Sequence, residues 1–89
     1  DFRIGVLETP GHSNDSVCYL VDRLLFTGDV LSAGAIGSAA NGYERALLLS
    51  SIQKKLLALA AETYIFPGHG PPTTLEIEKR FNPQLKEVL

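Results

Sequence analysis

Thr9-Pro10-Gly11-His12-Ser13 and Phe66-Pro67-Gly68-His69-Gly70-Pro71 decide how this chain is read, because they place its only two histidines in the same Pro-Gly-His tripeptide. Imidazole is the side chain most often recruited as a metal ligand or proton carrier near neutral pH. Each tripeptide follows a short apolar run, Ile4 to Leu7 before the first and Tyr64-Ile65-Phe66 before the second. Proline and glycine interrupt strand pairing, so each run reads as a strand, and each histidine falls just past that strand's C-terminal end.

A third position of the same kind lies between them. Val17 to Val21 suits a strand, Asp22-Arg23 reads as a tight turn, and Leu24 to Thr27 returns as the partner in a hairpin. Gly28 ends that strand and Asp29 lies in the loop beyond. His12, Asp29 and His69 therefore each follow a strand end and a glycine, a residue that lets backbone approach a site with no Cβ in the way. Nitrogen and carboxylate donors suit zinc, and also iron or manganese, so donor type alone does not select the ion. A lone histidine after Pro-Gly, or a lone aspartate after Thr-Gly, is usually a surface turn residue. The combination points to one metal site, in which a carboxylate between two imidazoles can bind one ion or bridge two.

The remaining segments are read around these three. Ser32 to Gly42 is almost entirely Ser, Ala and Gly, which predicts a mobile loop short enough to act as a lid. Asn41 followed by Glu44 has capping spacing, and Leu48, Ile52, Leu56 and Leu59 recur at helical intervals, which predicts a helix from Tyr43 to Ala60 with Tyr43 packed at its start. Thr73 with Glu76 begins a short second helix that Asn82-Pro83 terminates. Asn14 and Asp15 shape the turn after His12, and Ser13 is the candidate hydrogen-bond partner for the His12 ring. Cys18, mid-strand in an apolar run, reads as a small buried hydrophobe.

Composition narrows the class. Eighty-nine residues allow one small domain, which hides only about 60–65% of the surface of its unfolded chain. The core is accordingly thin and a covering partner is expected. An apolar content of 45% with 20% charge excludes intrinsic disorder. With a net charge of −2 and basic residues scattered as Lys54-Lys55 and Lys79-Arg80, there is no basic stripe for a nucleic acid. A single cysteine excludes an intrachain disulfide or a thiolate zinc knuckle and fits a reducing, cytoplasmic setting. The longest apolar stretch, Leu56 to Ala61, is too short to span a bilayer, and the N-terminus lacks a signal-peptide pattern.

In their order, the two Pro-Gly-His motifs, the intervening Leu25-Phe26-Thr27-Gly28-Asp29 and the helix before the last motif resemble the C-terminal half of the metallo-β-lactamase fold. The likeness is greatest to glyoxalase II-like hydrolases, which the tail Thr73-Thr74-Leu75-Glu76 with Asn82-Pro83 also resembles. The resemblance covers residues 1–89 and implies an α/β chain (α+β in some schemes) forming one half of an αββα sandwich. It implies that His12 completes one metal's histidine set, that Asp29 bridges two metals and that His69 binds the second, with two zinc ions in the complete domain. The family's His-x-His-x-Asp-His motif, and with it the catalytic aspartate, does not occur in these residues. The missing N-terminal half, or another protein chain, is thus the expected partner, and the 89 residues alone are expected to be inactive. The implied function is metal-assisted hydrolysis of a thioester or ester. A mononuclear iron persulfide dioxygenase-like oxidoreductase of the same fold and a non-catalytic half-domain are the alternatives. Glyoxalase II-like members commonly carry Gly-Arg and an acidic residue after the aspartate motif. Gly37-Ser38-Ala39-Ala40 stands there instead, with no basic residue between Arg23 and Arg45, which implies a smaller or less anionic acyl substrate.

Overall fold

The computed structural model describes residues 4–13 and 15–88. Asn14, assigned above to a turn, lies outside the described residues. The three predicted strands of the N-terminal part form β1 (Ile4–Glu8), β2 (Val17–Val21) and β3 (Leu24–Gly28), each antiparallel to the next. Asp22-Arg23 makes the turn between β2 and β3, and Asp22 adopts a positive φ of 53°, a conformation that its short polar side chain tolerates.

While residues 37–41 have no regular structure, the first part of the Ser32 to Gly42 segment, expected to be a mobile loop, forms a small hairpin, β4 (Leu31–Ser32) with β5 (Ala35–Ile36). The reason lies far along the chain, where Glu78, Asn82 and Gln84 bind its backbone. Asn41 then caps α1 (Gly42–Ser51), its side chain accepting from the Glu44 N–H at 2.9 Å, as the spacing predicts. Tyr43, expected to pack, is 76% exposed at the start of α1, while Glu44 and Arg45 after it are half-buried. Helical structure stops earlier than expected: a π turn over Ile52–Leu56 follows α1 and the chain leaves the helix at Leu57. Each four-residue step between Leu48, Ile52 and Leu56 overshoots an α turn by about 40°, and the wider π turn takes up that overshoot. All three leucine and isoleucine side chains stay buried in the core.

β6 (Tyr64–Pro67) comes next and lies parallel to β3, giving a five-stranded sheet in the order β1-β2-β3-β6-β7. β7 (Thr73–Thr74) replaces the expected first turn of the second helix. The cap is Thr74, whose hydroxyl accepts from the Ile77 N–H, and α2 (Leu75–Phe81) follows. As expected, α2 ends at Asn82, but Pro83 opens a further 3-10 segment, Pro83–Val88. None of the described helices is long and apolar enough to cross a membrane.

Pairing puts alternate residues of the sheet on opposite faces. One face carries Cys18, Leu25 and Ile65, fully buried in a core with Leu48, Ile52, Leu56, Leu75 and Leu85. The other carries Ile4, Val6, Tyr19, Leu24, Phe26 and Tyr64, each between 37% and 63% exposed, and Phe26 stacks on Phe66 there with ring centroids 5.5 Å apart. The second face is apolar and has no cover among the described residues.

Burial pushes the Cys18 thiol above the ordinary thiol range, against a smaller opposing pull from its contact with the Thr9 hydroxyl. The thiol thus stays protonated in the folded chain, and the stability this contributes is fully present below the unfolded thiol's pKa and lost as pH rises through the folded one. In native protein at pH 8, Cys18 is expected to react with iodoacetamide at least about tenfold more slowly than in urea-unfolded protein. Mass spectrometry of the alkylated fraction over time checks this, and equal rates in the two states would show that the thiol is accessible.

Candidate metal centre

Strand direction explains why the three singled-out residues meet. β1 and β3 are both antiparallel to β2, and β6 is parallel to β3, so β1, β3 and β6 run the same way. Their C-terminal ends share one edge of the fold, and His12, Asp29 and His69 occupy the loops at that edge.

Each loop is held by the elements beneath it. Ser51 on α1 donates its hydroxyl to the carbonyl of Pro10 at 3.1 Å. Next to it, Gly11 has a φ of 129°, and a Cβ there would lie 2.4 Å from the Leu48 nitrogen. Only glycine lets the His12 loop sit this close to α1. Asp29 rides a turn closed by the Val30 N–H on the Thr27 carbonyl, while the buried Thr27 hydroxyl donates to the Leu31 carbonyl at 2.6 Å. The Gly68 N–H donates to the Gly28 carbonyl at 2.8 Å, tying the His69 loop to the Asp29 loop.

Within the site, the two imidazoles are engaged differently. His12 Nδ1 lies 2.8 Å from the Ser38 carbonyl oxygen, which can only accept, so the ring donates there and in its neutral form keeps a bare lone pair on Nε2. That Nε2 faces Asp29 Oδ2 at 4.0 Å, too far for a hydrogen bond. On the opposite side, His69 Nδ1 meets Asp29 Oδ1 at 3.0 Å, a direct hydrogen bond. His69 is 90% exposed, Asp29 54% and His12 30%, so only the His12 ring is substantially enclosed.

Ser13, expected to support the His12 ring, instead bonds Asp15 and the Ser16 hydroxyl in the following turn. The Ser38 backbone carbonyl takes its place. Gly37 was also missed, although a Cβ at that position would stand 2.3 Å from the Asp29 carbonyl oxygen and 3.3 Å from His12 Nδ1. A glycine inside a run of small residues is the only signal the sequence offers for it.

In kind, these donors suit a metal: a bare imidazole nitrogen and a carboxylate with one oxygen turned toward each ring. Two donors of a tetrahedral zinc stand about 3.4 Å apart, a little less than the His12–Asp29 separation of 4.0 Å. The His69–Asp29 hydrogen bond leaves no room for an ion between its atoms. Among the described residues, no three His, Cys, Asp or Glu side chains are grouped so as to hold a metal by themselves. The fit is that of a partial donor set.

Comparison with known proteins gives the class. The metallo-beta-lactamase superfamily pattern matches residues 1–69, and the chain belongs to that superfamily. It is 44% identical over 87 residues to the probable metallo-hydrolase YqgX of Bacillus subtilis, covering 94% of this chain and 41% of YqgX. It is 40% identical over 89 residues to the hydroxyacylglutathione hydrolase GloC of Haemophilus influenzae, with 94% of this chain and 41% of GloC covered. Among solved structures, the BLEG-1 B3 metallo-beta-lactamase superposes with a TM-score of 0.89 at 43% identity, over 96% of this chain and 42% of that one. ETHE1 from Myxococcus xanthus also gives 0.89, at 34% identity over 98% and 41%. TTHA1623 in a di-iron-bound form gives 0.79 at 40% identity, over 90% and 41%. The chain spans about two fifths of the length of the relatives it matches.

Two glycine substitutions separate the close approach at the site from general helix propensity. Gly37→Ala drives a Cβ into the Asp29 backbone and is expected to cost about 1–3 kcal/mol. Gly42→Ala, where a Cβ meets nothing within 4 Å at the first residue of α1, is expected to stabilise by about 0.4–1 kcal/mol. Urea midpoints at constant m-value measure both.

Proposed function

We propose that this chain forms the C-terminal half of a metal-dependent hydrolase domain that cleaves a thioester or related ester, with His12, Asp29 and His69 as metal ligands. One observation carries this reading: three co-directional strands deliver the three side chains to one edge, where Asp29 turns one oxygen toward each imidazole. The likeness to proteins named metallo-hydrolase and hydroxyacylglutathione hydrolase supports it. Two zinc ions would complete the assignment, with His12 as a ligand of one, His69 of the other and Asp29 available to both.

When bound, the ions supply an activated water and polarise the acyl carbonyl. The chain's own residues prepare for that. The Ser38 carbonyl fixes the Nδ1–H form of His12 and presents Nε2 to the site. The His69 ring is 90% exposed and hydrogen-bonded to Asp29, so it would have to turn from that bond to offer both groups to an ion. The segment Gly37-Ser38-Ala39-Ala40 brings no cation to the site, which suits a small, weakly anionic acyl group.

The uncovered apolar sheet face receives the N-terminal half, from the same polypeptide or another chain, and that half brings the remaining ligands and the catalytic aspartate. Without it, the donors present bind metal weakly and catalyse little. A mononuclear iron persulfide dioxygenase-like oxidoreductase of the same fold is the second reading, kept beside the first by the likeness to ETHE1 from Myxococcus xanthus.

Metal analysis and thioester assays on the complete domain test the proposal. The expected result is two zinc ions per domain and a loss of hydrolysis of about 100-fold or more in His12→Ala and in His69→Ala. A single iron with oxygen consumption would establish the second reading. Metal content and activity unchanged by both substitutions would establish a non-catalytic half-domain.

A further inference from the structure

Behind the β4–β5 hairpin lies a buried polar cluster that takes no part in the chemistry above. Glu78, 2% exposed on α2, accepts on Oε1 from the Gly34 N–H and from Asn82 Nδ2, both at 2.9 Å, and on Oε2 from the Thr73 hydroxyl at 2.8 Å. Asn82 Nδ2 also donates to the Ala35 carbonyl at 3.2 Å. Gln84 Oε1 accepts from the Ile36 N–H at 2.6 Å, while the Gln84 N–H donates to Asn82 Oδ1 at 2.9 Å. Three consecutive residues, Gly34, Ala35 and Ile36, are thus held by their backbone atoms from α2 and the turn that follows it.

The chain then passes directly into the site. The Gly37 N–H donates to the Val30 carbonyl at 2.9 Å beside Asp29, and the Ser38 carbonyl accepts from His12 Nδ1. Two-residue strands cannot hold such a register alone, and the side chains from Ser32 to Gly42 offer little to pack apart from Ile36. Burying a carboxylate costs stability unless it is fully bonded, and apolar residues of similar volume often serve stability as well or better. A fully satisfied cluster whose ends all grip one hairpin therefore specifies where that hairpin sits.

We infer that Glu78, Asn82 and Gln84 are positioning residues that act through the β4–β5 hairpin to seat the Ser38 carbonyl on His12, fixing the tautomer and orientation of that ring. Its consequence for metal binding rests on the ligand reading above, but its consequence for the ring does not.

Gln84 gives the cleanest test, because it is half-buried and its Oε1 makes a single contact to the hairpin. In the complete domain, Gln84→Met keeps the stem and removes the acceptor, Gln84→Ala removes both, and Gln84→Glu retains an acceptor. The readouts are the imidazole nitrogen–proton correlations of the metal-free domain by NMR and the cobalt(II) dissociation constant. The wild type is expected to show His12 as the Nδ1–H tautomer. Gln84→Met and Gln84→Ala are expected to show mixed His12 tautomers with cobalt(II) binding about tenfold weaker, and Gln84→Glu to restore both. His69, whose ring is hydrogen-bonded to Asp29 rather than to Ser38, should give wild-type signals throughout. Wild-type His12 correlations and cobalt(II) affinity in both Gln84→Met and Gln84→Ala would overturn the inference. If His12→Ala leaves cobalt(II) affinity unchanged while the His12 tautomer still responds to Gln84→Met, the ligand reading fails and the positioning role stands.

Discussion

A parallel neighbour cannot be reached through a tight turn, so once β6 lies beside β3 the intervening chain must cross over the sheet. Much of the fold's organisation follows from that requirement. The crossover supplies the β4–β5 hairpin, α1 and the π turn, whose Leu48, Ile52 and Leu56 build the core against one sheet face. It also makes Asp29 and His69 neighbours, since both leave the ends of adjacent parallel strands and the Gly68 N–H bond to Gly28 clamps those ends together. The antiparallel β1–β2–β3 meander restores the same direction at β1 and adds His12 to the edge. Residues 12, 29 and 69 therefore meet through topology, with no need for a long or strained loop.

The sheet is apolar on both faces, and this separates the chain from a self-sufficient one-sheet domain. Val17 to Val21 is apolar at every position, the pattern of a strand in a layer covered on both sides. One side is covered by α1 and its continuation; the other presents Ile4, Val6, Tyr19, Phe26 and Tyr64 without cover among the described residues. Contiguous exposed apolar residues of this kind are what the proposed covering half would bury. This surface is continuous with the strands that deliver the candidate ligands, so the N-terminal half proposed to cover it would also come near the site edge.

Local signals in the sequence carried most of the strands and part of the site. β1, β2, β3 and β6 were legible because apolar runs are punctuated by Pro-Gly, Asp-Arg and Gly-Asp, and α1 because Asn41 caps it. His12, Asp29 and His69 were legible as residue types at strand ends. What escaped depends on distant partners. The β4–β5 hairpin forms because acceptors and donors 44 to 48 positions downstream bind its backbone, and no local pattern encodes that. The Ser38 carbonyl that supports His12 is a backbone atom, present whatever side chain stands there. The early end of α1 was hidden because Leu48, Ile52 and Leu56 at four-residue spacing still read as one helical stripe, and only the overshoot of about 40° at each step separates an α-helix from the π turn.

Polar satisfaction divides the molecule in two. Glu78, Asn82, Thr73 and Thr27 are buried, and each has found partners; no described buried side-chain nitrogen or oxygen lacks one. The side chains at the site are the reverse: Asp29 and His69 are exposed and make one hydrogen bond with each other, and His12 turns a bare nitrogen toward Asp29 across 4.0 Å. Folding stability does not require the second arrangement, because an exposed hydrogen bond of this kind contributes little. The interior instead spends its bonded groups on holding the backbone that surrounds these three residues. On the proposed ligand reading, a backbone held in this way would leave only the exposed His69 ring to turn when an ion binds.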